Sequence, residues 1–295
     1  MTLINHHQKA SAIIIAMAIV SLVAIIAISL ISNGQCQIAT NEAIQFSLQA
    51  KIDRDQLISE AISLLQKNAK DNKDKALIDQ LPATIELKAS KDTMEAKALV
   101  IDAQGYFNIN NLSNNVWGKS FTQLIQMVLP SLSDDSAKAL SENIADFLKA
   151  TDGLQKQSFF FPTQLWQQGL VSLAQFKLLF PAIIALPNQT PVNINSVKPI
   201  VLASLGDGMS LDDATELLNQ HQQYQSVETF LKNHIVQKAN INQDQLTVNS
   251  KYFLIKGLIT SDKQNRMFEA LLYRPSSSAN TDGIVEVDLL WMQGG

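Results

Sequence analysis

The densest chemistry-bearing side chains of this 295-residue sequence are carboxylates. Asp134, Asp135, Glu142, Asp146 and Asp152 form one group, and Asp207, Asp212, Asp213 and Glu216 form another. Hard cations such as calcium take about six to eight oxygen ligands, several of them carboxylate. The same acids also suit helix starts, where negative charge meets the unpaired amides of the first turn. Asp134 and Asp135 follow Ser133, and Asp212 and Asp213 follow Ser210. Capping is therefore the favoured reading and cation binding the alternative.

No catalytic constellation accompanies them. The four histidines are His6, His7, His221 and His234, and none stands in a His-Glu-x-x-His arrangement. His221 and His234 have polar neighbours and read as surface residues. The sequence has no Gly-x-Ser-x-Gly elbow, no Walker glycine loop and no Gly-x-Gly-x-x-Gly turn, so a non-enzymatic role is expected. Cys36 is the single cysteine, which excludes an internal disulfide and a multi-cysteine metal site.

Residues 191–199 (PVNINSVKP), followed by two short helical stretches, resemble a helix-hairpin-helix unit. Such units grip nucleic-acid backbone through hairpin amides with basic neighbours. Here the hairpin reads Leu205-Gly206-Asp207-Gly208-Met209, and acids outnumber Lys198 and Lys232 around it. The formal charge of the chain is -4 and its pI about 5.6. Phosphate binding needs cations, so the unit reads as a packing module and no nucleic-acid partner is expected.

The element that places all of this is residues 11–31, SAIIIAMAIVSLVAIIAISLI, with no charge and three serines. About 20 such residues in a helix reach about 30 Å, one hydrocarbon thickness. His6, His7 and Lys9 precede the run, which keeps the N-terminus cytoplasmic and puts the rest on the far side of the membrane. The apolar core is longer than that of a cleaved secretory signal, so a permanent anchor is expected. Apolar residues at three- and four-residue steps carry the helix on through residues 37–66, giving about 50 residues and about 75 Å. Gly34 is the one position that invites a bend. Residues 67–75 (KNAKDNKDK) read as a solvated charged loop.

Beyond it, residues 84–88 and 96–102 read as short strands, and Gln104-Gly105 as a hairpin turn. Residues 121–240 change to short helices, with starts at Ser133, Ser172, Pro199, Leu211 and Ser226. Phe159-Phe160-Phe161-Pro162 lies between two of them as an apolar cluster, for the core or for a partner. From residue 246 the period becomes two, with strands at 246–259, 267–273 and 284–291. Strands on both sides of a helical block imply an insertion of about 120 residues, an ordinary domain size.

Several segments together resemble the K-type minor pseudopilin of bacterial type II secretion, general secretion pathway protein K. They are the N-terminal anchor, residues 100–112 (VIDAQGYFNINNL), the ALP…VNIN stretch of residues 185–195, and Ser250-Lys251-Tyr252-Phe253. The resemblance implies an α+β fold: a pilin-like long N-terminal helix packed on an antiparallel sheet, with a large all-helical domain inserted. The divisions are a leader at 1–10, a transmembrane helix at 11–33, pilin-like parts at 34–112 and 241–295, and the insert at 113–240. Prepilin peptidase would cut between Ala10 and Ser11, although most pilins have glycine before the cut. Counting from Ser11, Ile15 stands where ordinary pilins carry glutamate, a carboxylate that lipid tolerates only when paired. K-type members share that lack, which suits a subunit with no neighbour beyond it.

The resemblance thus implies a cap on the pseudopilus tip, assembled with the I-type and J-type minor pseudopilins. It also implies calcium in the insert, at a segment corresponding to Asp146 through Asp152. Lys149 and Thr151 replace two expected carboxylates there, so Asp146 and Asp152 form a weakened site. A minor pilin of a type IV pilus and a membrane-anchored DNA receptor are the competing expectations; the insert opposes the first and the charge opposes the second.

Overall fold

The computed structural model describes residues 4–70, 81–87, 94–152, 155–220, 223–275 and 285–294. Side chains are described from residue 16 onward, excluding 68–70, 151–152 and 155–156. Most of the expected charged loop at 67–75, along with His221 and Ile284, lies outside the described residues.

Helix α1, Ile4–Lys70, is a single helix of 67 residues, about 100 Å long. It passes through Gly34 without a break, since one glycine costs a helix only about 1 kcal/mol and the chain has no proline before Pro82. From Ala16 to Ile31 its side chains, apolar except for Ser21 and Ser29, are all exposed, and among the described residues nothing packs on them. The second half turns Phe46, Ala50, Leu57, Ala61 and Leu65 inward on one face.

That face lies on a five-stranded sheet of β1 (Ala83–Leu87), β2 (Met94–Asp102), β3 (Tyr252–Ser261), β4 (Asn265–Tyr273) and β5 (Asp288–Gly294). The order is β1-β2-β3-β4-β5 and every pair is antiparallel. Alternation along the strands sends Ala98, Val100, Phe253, Ile255, Phe268 and Ala270 toward α1. Full burial of Leu57 alone is worth about 2 kcal/mol. Gly257 faces Phe268 across β3 and β4, and a Cβ there would run into the Phe268 ring; the glycine makes the room that the ring fills.

Two contacts fix how the sheet lies along the rod. At the β3–β4 turn, Lys263 Nζ donates to Glu42 Oε2 at 2.7 Å. Just past β4, Arg274 Nη1 donates to the Leu65 carbonyl at 3.3 Å, with its guanidinium over the Phe253 ring. Positions 42 and 65 are about 35 Å apart along a helix. The β3–β4 turn therefore lies toward the apolar half of α1, and the opposite end of the sheet lies at the far tip of the rod.

The helical unit leaves from that far end, after β2, and returns there to start β3. It contains α2 (Gly118–Val128), α3 (Asp134–Lys149), α4 (Gln164–Gln167), α5 (Leu173–Leu179), α6 (Pro199–Leu205), α7 (Leu211–Asn219), α8 (Val227–Leu231) and α9 (His234–Ala239). Serine caps start four of them: Ser133, Ser172, Ser210 and Ser226 each accept from an amide of the first turn. The expected helix at 226–233 instead stops at Leu231, because the Asn233 side chain caps a new one through the Ile235 amide.

The core of the helical unit reaches past the expected limits of 113 and 240, since Phe107, Ile109 and Leu112 belong to it on one side and Ile241 and Leu246 on the other. The unit is not purely helical. Phe107–Asn108 pairs in parallel with Ile183–Ile184, and Val192–Asn193 with Leu246–Thr247. The expected hairpin at Gln104-Gly105 is a single 3-10 turn, Ala103–Gly105, after which the chain crosses into the helical unit instead of folding back on β2.

Candidate assembly surfaces and the junction that sets them

Ala10, Ser11 and Ile15 lie in the first turns of α1, outside the described side chains. Farther along, Ile44, Leu48 and Ile52 repeat at four-residue steps on the side of α1 turned away from the sheet, and all three are exposed. This unpartnered stripe lies directly opposite Phe46, Ala50 and Leu57 and continues the apolar half of the helix.

The acids divide as their positions suggest. Asp134 and Asp135 occupy the first turn of α3, and Asp134 Oδ1 accepts from Gln126 Nε2 at 2.8 Å. Asp213 closes a capping box with Ser210, and the two hydrogen bonds from that serine hold its carboxyl below the usual range. Asp207 pairs with Lys119. Asp146 is exposed on α3, on a groove of about 720 Å³ between α2 and α3 that Lys138 and Lys149 also line. Lys149 Nζ donates to Asn115 Oδ1 at 2.7 Å, fastening the end of α3 to the turn before α2. The Asp152 side chain lies outside the described residues. Among the described residues no three His, Cys, Asp or Glu side chains converge.

In the helix-hairpin-helix unit, α6 and α7 flank Gly206-Asp207-Gly208, and Gly208 takes a φ of 69° that favours glycine. The Asp207 amide donates to the Ala239 carbonyl at 2.6 Å. That amide points into the protein, against α9, which is the geometry of a packing module.

The part that sequence reasoning missed is the polar junction between sheet and helical unit. Asp102, the last residue of β2, is only 2% exposed. Its Oδ2 accepts from Ser196 Oγ and Ser250 Oγ, both at 2.5 Å, and from Asn193 Nδ2 at 2.9 Å. Its Oδ1 accepts from the Gln104 amide at 2.9 Å. One carboxylate thus joins β2, the 193–196 segment and the lead-in to β3. Burial raises its pKa despite the four donors, which pull the other way. Gln104 extends the network, accepting from the Lys251 amide at 2.6 Å and donating to the Pro191 carbonyl at 2.9 Å. Gly105 is required beside it, because a Cβ would overlap the Ser196 carbonyl.

Three asparagines continue the seam. Asn110 Nδ2 donates to the carbonyls of Phe159 and Leu186, both at 2.8 Å, while its Oδ1 accepts from the Phe159 amide at 2.9 Å. Asn111 exchanges two hydrogen bonds with the Thr190 backbone, and Asn108 Oδ1 accepts from the Leu186 amide. Lys198 lies over the Tyr106 ring at 4.0 Å and donates to the Pro181 carbonyl; burial, with a smaller push from Lys256, lowers its pKa. The two stretches that carried the family resemblance, 100–112 and 185–195, are the two sides of this seam.

Residues 192–249 match the family model for protein K of the type II secretion system. They run from the asparagine that grips Asp102, through the helix-hairpin-helix unit, to the doorstep of β3. The fold is that of a chain in the GspK-GspI-GspJ complex of the enterotoxigenic Escherichia coli type 2 secretion system, with a TM-score of 0.59 and 17% identity over 84% of this chain and 98% of that one. The chain resembles protein K in segment and in fold. No curated relative matches the sequence. The shared fold is the α+β architecture expected from the sequence: a long N-terminal helix on an antiparallel sheet, with a helical unit beside it.

Proposed function

We propose that this chain is a K-type minor pseudopilin that caps the tip of the pseudopilus that drives protein secretion across the outer membrane. The observation that carries the reading is where the helical unit sits. It crowns the end of the sheet nearest Leu65, at the far tip of α1, where a further subunit stacked on the same axis would have to go. The exposed stripe Ile44, Leu48 and Ile52 supports packing against neighbouring helices on the side and below, and leaves the top closed. Ile15 supports the same role, since a subunit with nothing above it has no use for a membrane-buried carboxylate.

In this reading prepilin peptidase cuts between Ala10 and Ser11, the apolar half of α1 stays in the inner membrane with its N-terminus cytoplasmic, and the head is periplasmic. The partners are I-type and J-type minor pseudopilins, as for the GspK of the solved complex. Labelled-tip microscopy should find the protein at filament ends; label spread along the shaft overturns the capping role. N-terminal sequencing of the mature protein should begin at Ser11. We assign calcium no structural role, because Lys149 and Asn115 already fasten the end of α3. Calorimetry should show no micromolar calcium binding, and clear binding would reverse that assignment.

A further inference from the structure

The Phe159-Phe160-Phe161 cluster splits three ways. Phe159 is buried and stacks on Phe147, with centroids 5.1 Å apart. Phe161 meets the edge of Trp291 on β5 at 4.9 Å. Phe160, between them, is 65% exposed. Residues about 130 positions apart thus come together at one corner, where the helical unit overhangs the last strand. Leu289, Leu290 and Met292 of β5 are exposed at the same corner.

β5 is an edge strand: among the described residues it pairs with β4 alone. Leu290 is an extra residue in that pairing, since Leu271 faces Trp291 while Leu272 faces Leu289. Edges are commonly guarded by lysine or proline, and residues 285–294 (VEVDLLWMQG) contain neither. Their only charges are the exposed carboxylates of Glu286 and Asp288.

We infer that β5 and Phe160 form a docking site for an extended polypeptide strand, apolar along its middle and basic at the end that meets Glu286 and Asp288, that adds to the sheet beside β5. Unused amides and carbonyls along the edge supply the ladder. Leu290, Met292 and Phe160 supply apolar contacts, and Glu286 and Asp288 select lysine or arginine. A strand of acidic sequence would meet like charge. The inference does not depend on the tip-cap reading, because it concerns any strand of that chemistry.

The test uses the full chain in lipid nanodiscs and the peptide acetyl-Lys-Val-Thr-Val-Thr-Val-Lys-amide. Amide exchange in residues 288–294 should slow by about tenfold or more when the peptide is present. The same peptide with glutamates for lysines, or with proline for the central valine, should give no protection. Leu290→Lys should abolish the effect while leaving the thermal midpoint unchanged. Absence of protection by the basic peptide, or equal protection by the proline peptide, overturns the inference. So does a concentration-dependent doubling of mass without peptide, which would make a second copy of the chain the occupant.

Discussion

Leu57 on α1 and Asp102 at the end of β2 are both buried, and their surroundings could hardly differ more. Around Leu57 lie alanines, valine, isoleucines and phenylalanines, held by non-directional contact. Around Asp102 lie two serine hydroxyls, an asparagine amide and a backbone amide, each at a fixed distance and angle. The first kind of core needs only volume and pattern, so it tolerates exchange among apolar residues of similar size. The second leaves a buried polar group without a partner whenever one member is lost. The rod and sheet are thus a generic platform, while the seam determines how the helical unit is mounted on it.

The largest effect expected from breaking that contrast is at Asn110. Asn110→Ala strands the amide and carbonyl of Phe159 and the carbonyl of Leu186, each at about 1–3 kcal/mol, so a loss of about 4 kcal/mol is expected in denaturant unfolding. Leu57→Ala should cost about 3 kcal/mol, while Leu57→Met should cost less than about 1.5 kcal/mol. If Asn110→Ala is as mild as Leu57→Met, the contrast collapses.

Asp102→Asn sharpens it through pH. The folded pKa of Asp102 is raised above the ordinary 3.8, so the folded state binds this proton more tightly than the unfolded chain does. Stability from this group is complete below the unfolded value and is lost as pH rises through the folded one. Unfolding midpoints of the parent should therefore fall, relative to Asp102→Asn, as pH rises from about 4 through the folded pKa. Matching pH profiles would show that burial does not dominate at this carboxyl. The smallest effect belongs to a cap far from the seam: Ser133→Ala should cost about 1 kcal/mol at any pH, read from the same unfolding curves.

The platform was legible in the sequence because its signals are periodic. Apolar steps of three and four placed α1, alternation placed β2 and the strands after residue 246, and serine caps with Pro199 placed α3, α5, α6 and α8. The seam was not legible, because its signal is neither periodic nor apolar. Gln104-Gly105 looked like a hairpin turn, yet Asp102, Asn108 and Asn114 each accept from the amide two residues on and steer the chain through successive 3-10 turns. Acidic or amide residues at that six-residue spacing, next to a glycine, were the available clue. Phe160 and Phe161 were equally ambiguous, since only the return of β5 beneath them separates the exposed ring from the covered one.

The clasps at Glu42 and Leu65 have a mechanical consequence. A sheet held to its rod at one point could swing, and a push from below would be absorbed by that swing. Held at two points about 35 Å apart, and along the apolar face between them, on a helix without a break, rod and sheet move as a single piston. A load along the axis of α1 would reach the helical unit through Arg274 and the apolar face from Phe46 to Leu65, with the exposed Lys263–Glu42 pair adding little.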